Sequence, residues 1–253
     1  MQIDFHTHAN LSKKINISFE DFKKKMNEAK ANGLAALAIT EHFNATNIIE
    51  FYEMLQAEYP YEKDHYKIEG MKIFCGLEVD VKENGHFLII GSRDDIWTIA
   101  HLLIPYRDKD AFIPVKELIN LTSDFNVLKI GAHPLRKSTP WHHHELDVLQ
   151  QFDAYDLNGK DLFTDGLEME ERVQSFATTY NIPVVGGSDT HQELQYGSIL
   201  NVFPECNSID ELREVIRQGN YEIQISPCLE VKVKAASQIK KMMKELNLYN
   251  KVK

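Results

Sequence analysis

Short apolar runs alternate with stretches of helical periodicity along most of this chain, and the runs repeatedly end in a histidine or a carboxylate. "QIDF" leads into His6 and His8, and "LAALAIT" into Glu41 and His42. "MKIFCGL" leads into Glu78, "VLKIGA" into His133, and "IPVVGGS" into Asp189 and His191. Strand–helix alternation of this kind predicts a parallel sheet, either doubly wound or closed into a barrel. A length of 253 residues suits one α/β barrel. In such folds the C-terminal ends of the strands share one face, and sites are built there. Ligand-type side chains from separate segments are therefore expected on one rim.

Local signals support the alternation. Ser18 and Asp21 open a helix whose Phe19, Phe22 and Met26 share a face, and Gly33 closes it. Asn84-Gly85 marks a turn before the short strand "GHFLIIG". Helical stretches follow at Ile96–Leu103, Val115–Phe125, "HELDVLQQF" and "LEMEERVQSFATTYN", with "AYDLN" as a strand. Ser208–Gln218 reads as a helix ended by Gly219, "YEIQI" as a strand, and about 230–248 as a last helix packing on the outside. No repeat, low-complexity tract or linker divides the chain, so residues 1–253 are expected to form a single domain. In a regular strand, Asp4, His6 and His8 of "DFHTH" would face one way, and Ile3, Phe5 and Thr7 the other.

Composition narrows the partners. The formal charge of −10 argues against a broad footprint for duplex nucleic acid, while a local basic pocket for a small anion stays open. No apolar run approaches the length needed to cross a bilayer, so no membrane contact is expected. The N-terminus lacks a basic-then-apolar pattern, and no cleaved leader is expected. Cys75, Cys206 and Cys228 are widely spaced and form no CxxC, which suits buried thiols in a reducing cytoplasm.

The rim residues are metal-ligand types. One HxH pair carries little weight, since chance alone supplies roughly half a pair in a chain this rich in histidine. Several such segments on one rim carry much more. Imidazole suits Zn, Mn or Fe rather than Ca or Mg, and carboxylates can bridge two ions. More than four candidate ligands implies more than one ion. Two neighbouring ions could generate a hydroxide near neutral pH and stabilise a phosphoryl group in displacement.

His6/His8, "TEH" with His42, "GLE" with Glu78, "GHFLIIG" with His86, "AHP" with His133 and "SDTH" with Asp189/His191 together resemble the PHP (polymerase and histidinol phosphatase) family. "FDAYDLNG" and "SIDELREVIRQGNY" resemble its later segments, so the likeness spans nearly the whole chain. The resemblance implies a distorted (β/α)7 TIM-like barrel with a two- or three-metal site that hydrolyses phosphoesters. By family position His6, His8, Glu78 and Asp189 would hold one ion, and Glu78, His86 and His133 a second, with Glu78 bridging. The third would use His42, His191 and an acidic or histidine residue soon after HxH. Here that region reads HTHANLSK, with Lys13 where the family has a carboxylate. A protonated amine has no lone pair to offer. Two or three divalent ions are thus expected, the third site lacking its usual ligand. Lys13 would supply charge there and meet the substrate phosphate, or a different loop path would bring Asn10 or Ser12 nearest.

The function implied is a metal-dependent phosphoesterase, foremost a phosphomonoesterase acting on a small phosphorylated metabolite or nucleotide by attack of a metal-bridging hydroxide. Glu78 and Asp189 would hold the reacting ions, Arg136 of "HPLRK" would fork the phosphate, and a metal-bound water or His191 would protonate the leaving alcohol. Three alternatives stand beside it: histidinol-phosphate phosphatase, a nuclease acting on single strands or ends, and a non-catalytic metal-binding partner module. Glu41 is expected to orient a ligand, and His142–His144 to be solvated or to rim the substrate loop. His101 is expected inside the protein and His65 outside. Lysines and glutamates at helical spacing are expected on solvated faces. The loops 44–72 and 137–144 are expected to wall the pocket. Oligomeric state is left open by the sequence.

Overall fold

The computed structural model describes residues 1–246. The first half runs β1 (Gln2–Thr7), α1 (Phe19–Ala31), β2 (Ala36–His42), α2 (Ile48–Glu58), β3 (Tyr61–Glu62), β4 (His65–Ile68), β5 (Met71–Asp80), β6 (His86–Gly91), α3 (Arg93–Leu102) and α4 (Val115–Thr122). The second half runs β7 (Val127–Gly131), α5 (Leu146–Leu149), β8 (Ala154–Asn158), α6 (Gly159–Asp165), α7 (Met169–Thr179), β9 (Val184–Gly187), β10 (Ile199–Val202), α8 (Ile209–Gln218), β11 (Glu222–Ile225) and α9 (Leu229–Glu245).

Expected caps are in place. The Ser18 side chain accepts from the Asp21 amide at 3.3 Å to start α1, and Ser208 accepts from Glu211 at 3.3 Å to start α8. Gly219 ends α8 with φ 69°, a conformation that only glycine adopts without cost. The segment "HELDVLQQF" yields one turn of helix, α5, and no more. The last helix follows its expected course to Glu245, while positions 247 and 248 of that expectation lie outside the described residues.

The strands form one sheet in the order β11-β10-β1-β2-β5-β6-β7-β8-β9, with β4 added beside β5 and β3 beside β4. The sheet is mixed rather than parallel. β6 runs antiparallel to both β5 and β7, and β10 antiparallel to β1. The physical reason at β6 is the Asn84-Gly85 turn, too short for a parallel crossover. The sheet nearly closes. The end of β1 meets the end of β9 through a parallel bridge at Thr7 and Thr190, with His8 N–H donating to the Thr190 carbonyl at 2.8 Å. Farther down, the buried Asn201 side chain donates to the Ile3 and Gly186 carbonyls and accepts from the Gly186 amide, all within 3.0 Å. The result is a mixed α/β, barrel-shaped sheet in a single domain.

Two apolar layers hold it. Alternate strand residues such as Phe5, Phe74, Leu88, Ile130 and Val185 pack together and are joined by Ile209, Leu212 and Ile216 of α8, which plug one end. The opposite alternation packs against the surrounding helices. Fully burying each large aliphatic or aromatic side chain contributes on the order of 1.5–3 kcal/mol. On several strands the inner alternation continues past the apolar layer into polar residues. Phe74 leads to Glu78, Leu88 back to His86, Ala154 to Asp156 and Val185 to Asp189. Among the described residues no helix is long and apolar enough to cross a membrane.

Several expectations are corrected here. The segment 44–72 is not a loop; it forms α2, β3 and β4, and β4 lies at the end of β5 remote from Glu78. His65, expected outside, is buried on β4 and donates from Nδ1 to the Asn207 carbonyl at 3.1 Å. His101, expected inside, is half-buried on α3 and bonds the Trp97 carbonyl one turn earlier. Cys75 and Cys206 are buried, but Cys228 is exposed.

Candidate metal centre

At the mouth opposite the α8 plug, β1 leaves its regular alternation. Its register against β2 shifts between Asp4 and Thr7. Asp4 secures the irregularity by accepting from the His6 amide at 3.1 Å and the Ser188 amide at 3.0 Å. Asp4 therefore does not join the two histidines, as simple alternation had required, and Phe5 remains in the apolar interior. His6 and His8 do converge, with ring centroids 5.3 Å apart.

Glu78, at the end of β5 and 2% exposed, is the hub. Its Oε1 lies 3.6 Å from His6 Nε2, 2.6 Å from His86 Nδ1 and 3.3 Å from His133 Nε2. Its Oε2 lies 3.4 Å from His8 Nε2 and 3.0 Å from His42 Nδ1. Asp189 Oδ1 stands 3.4 Å from His8 Nε2, 3.9 Å from His6 Nε2 and 3.3 Å from His191 Nδ1. His86 opens β6 instead of ending a strand. It reaches the same rim because β6 runs antiparallel to β5, with Asp80 opposite His86.

These side chains gather into three overlapping groups with ligand atoms within 4.8 Å: His6/His8/Asp189, Glu78/His86/His133 and His8/His42/His191. The second has the composition expected of one ligand set, and the first has three of the four residues expected of the other, without Glu78. In the third, His8 stands where a residue soon after HxH was expected. Lys13 is elsewhere, its Nζ 3.5 Å from Asp80 Oδ2 on the His86 side of the rim. Asn10 turns its amide N–H to Glu41 Oε2 at 2.9 Å and its side chain to the Ile15 carbonyl.

The donor set can be tested for cations directly. His6 Nε2, both ring nitrogens of His8 and His42 Nδ1 are buried with no hydrogen-bond partner among the described residues. Unpaired buried nitrogens of this kind are costly and uncommon. Divalent ions ligated by imidazole and carboxylate would use their lone pairs, so the residues fit such a group.

Surrounding residues fix the donors. His6 Nδ1 donates to Asp156 Oδ2 at 2.9 Å, leaving Nε2 turned to the basin. Glu41 Oε1 lies 3.5 Å from His8 Nδ1 without hydrogen-bonding it, and accepts from the His42 amide at 3.0 Å. Thr139 Oγ1 meets His133 Nδ1 at 3.2 Å, so the 137–144 loop does reach the rim. His143 and His144 donate to the Glu83 and Asn84 carbonyls and so strap the β5–β6 turn. Gly187 is required by close approach: a Cβ there would overlap Asp156 and the Cβ of His6.

Arg136, expected to fork a substrate phosphate, is turned onto the protein. Nε donates to Asp161 at 2.7 Å, and Nη2 to Asn158 and Asp189 at 3.0 Å each. Burial works against the charge on Asp189, but Arg136 with His191, His8 and His6 outweighs it and holds the carboxyl well below the usual range. Burial also opposes ionisation of Glu78, yet the surrounding imidazoles keep it well below that range. Burial pushes His42 down to about 4 and His191 down to about 3, so both are neutral lone-pair donors at pH 7.

Sequence reasoning missed Asp80, Asp156, Asn158, Asp161 and Lys25. Asp80 follows Glu78 at i+2, and Asp156 and Asn158 alternate on one face of "AYDLN", a period-2 polar signal at strand ends. Lys25 gave no signal. It sits in "KKK" yet is 4% exposed, against the expectation of a solvated face.

The sequence model of the PHP domain matches residues 4–156, and that of the PHP-associated region matches 170–221. Among curated proteins none matches the sequence. PsfC from Pseudomonas syringae shares the fold with a TM-score of 0.78 at 18% identity, over 96% of this chain and 98% of that one. Endonuclease Q, seen with a 27-mer duplex substrate carrying an abasic lesion, gives 0.64 at 17% identity over 88% of this chain and 58% of that one. A putative metal-dependent phosphoesterase from Bifidobacterium adolescentis gives 0.50 at 16% identity, over 85% and 96%. At such identities the likeness is one of fold. Since a protein containing this fold is seen with duplex DNA, net charge alone does not exclude duplex nucleic acid, contrary to the expectation from composition.

Proposed function

The chain belongs to the PHP domain family, which makes it a hydrolase of phosphoester bonds, and we propose that it is a phosphomonoesterase acting on a small phosphorylated metabolite or nucleotide. The observation that carries this reading is the buried basin around Glu78, where imidazoles from β1, β2, β6 and the loop after β7 meet one carboxylate. His6, His8, Glu78 and Asp189 would hold one ion, Glu78, His86 and His133 a second, and His8, His42 and His191 a third. Zn, Mn and Fe all suit these donors. Such ions, when bound, acidify water and offset charge on a phosphoryl group.

The protein's own residues set the geometry. Arg136 fixes Asp189 against Asn158 and Asp161, a positioning role in place of the phosphate fork. Lys13 pairs with Asp80 at the rim, so an anionic substrate that meets Lys13 would do so beside that carboxylate. His191, neutral at pH 7, serves as a lone-pair donor rather than a reservoir of protons. A cavity of about 870 Å³ lies between the 10–18 segment, α1 and α9, lined among others by Asn10, Lys14, Asp21, Gln192 and Ile239, and none of the candidate ligands lines it.

The test is turnover of p-nitrophenyl phosphate, its bis-ester and a labelled oligonucleotide by protein supplied with Mn or Zn. Hydrolysis of the monoester foremost, lost at least a thousandfold in His8→Ala and Asp189→Ala proteins that stay folded, is expected. Preference for the oligonucleotide would overturn the phosphomonoesterase reading in favour of a nuclease.

A further inference from the structure

Lys25 lies on the inner face of α1 with Phe22, Met26 and Ala29 and is almost wholly buried. A buried ammonium is costly unless its protons are used. Here Nζ donates to the carbonyls of His8 at 3.4 Å, Ala9 at 3.1 Å and His191 at 2.7 Å. Three acceptors match the three donors of the side chain. They come from two separate segments, the chain leaving β1 and the loop following β9. Those segments carry His8 and His191, whose rings stack at 3.9 Å, and the His42 ring lies 4.7 Å from His8 and 5.7 Å from His191.

We propose that Lys25 is a positioning residue for the His8/His42/His191 cluster: its ammonium sets the separation of the His8 and His191 main chains and so allows their rings to share an ion with His42. The inference rests on the reading of that cluster as an ion site. It also accounts for how the cluster is held without a carboxylate soon after HxH. Glu41 fixes the same region from the other side, through the amides of Asn10 and His42. Lys25 itself touches neither ring nitrogen nor basin, so its effect passes through the backbone.

The test is equilibrium dialysis of metal-free full-length protein against Zn, counting ions per chain and their affinities, for wild type, Lys25→Met, Lys25→Arg and His42→Ala. Wild type is expected to bind three ions, and His42→Ala two. Lys25→Met is expected to weaken the third ion at least tenfold and to leave the Glu78/His86/His133 ion, which shares no residue with that cluster, unchanged. Lys25→Arg, which keeps charge and donors, should fall between wild type and Lys25→Met, and serves alone if the methionine variant does not fold. Combining Lys25→Met with His42→Ala should add no further loss. Three ions bound by wild type and equally well by Lys25→Met, or by Lys25→Arg where it stands alone, would overturn the role of Lys25. Two ions in wild type, unchanged by His42→Ala, would overturn the ion-site reading of the cluster and the inference with it.

Discussion

His133 and Asp189 both adopt positive φ, 32° and 56°, a conformation that costs non-glycine residues on the order of 1–3 kcal/mol each. Both stand in the candidate centre, and the surroundings that impose the strain are visible. The Asp189 amide donates to the His6 carbonyl at 2.8 Å, and the His133 amide to Asp156 Oδ2 at 3.3 Å. Asp156 is the linchpin at this scale, since the same oxygen takes His6 Nδ1 and Asn158 Nδ2, each at 2.9 Å. Asp156→Ala should lower ion affinity about 10–100-fold while far-UV dichroism stays native. Unchanged affinity in a zinc competition titration would show that His6 needs no such orientation. The ligand candidates themselves were legible, because a histidine or carboxylate ending an apolar strand contradicts its surroundings. Asp156 sits inside a strand, and Lys25 sits beside two exposed lysines, so neither contradicts anything until the chain is folded.

The elements were legible where period and caps agree, as at α1 and α8, and illegible where partners decide. "HFLIIG" reads as a strand in either direction, and only pairing with β5 brings His86 to the rim. β4 was missed because "HYKI" is short and its histidine reads as polar. Buried between Asn207 and Phe74, His65 has its pKa lowered chiefly by desolvation. The unfolded chain, with histidine near its ordinary value of about 6.5, then binds more protons below that pH than the folded one. The stability His65 contributes is present above about pH 6.5 and declines as the pH falls through that value. Thermal melts of metal-free protein should therefore drop more between pH 7.5 and 5.5 in wild type than in His65→Phe. Parallel pH profiles would refute this account of β4.

For the whole molecule, a single α/β domain follows from the alternation, but the antiparallel β6 and β10 and the closure of the sheet do not. Closure depends on the Asn201 amide bridging β10 to Gly186 and Ile3, and on β1 meeting β9 beside Asp189. Asn201→Leu would strand buried backbone groups at about 1–3 kcal/mol each, lowering Tm by several degrees. An unaltered Tm would mean the seam holds without it. The PHP domain match, residues 4–156, runs from β1 into β8, while Asp189 and His191 fall in the separately matched PHP-associated region, 170–221. Whether the far ends of the chain truly serve one basin is therefore the central claim. Anomalous diffraction from crystals grown with Zn or Mn tests it most directly. Peaks should appear on two sides of Glu78, one against His6, His8 and Asp189 and one against His86 and His133. Peaks confined to His142–His144, or none near Glu78 in catalytically active crystals, would contradict it.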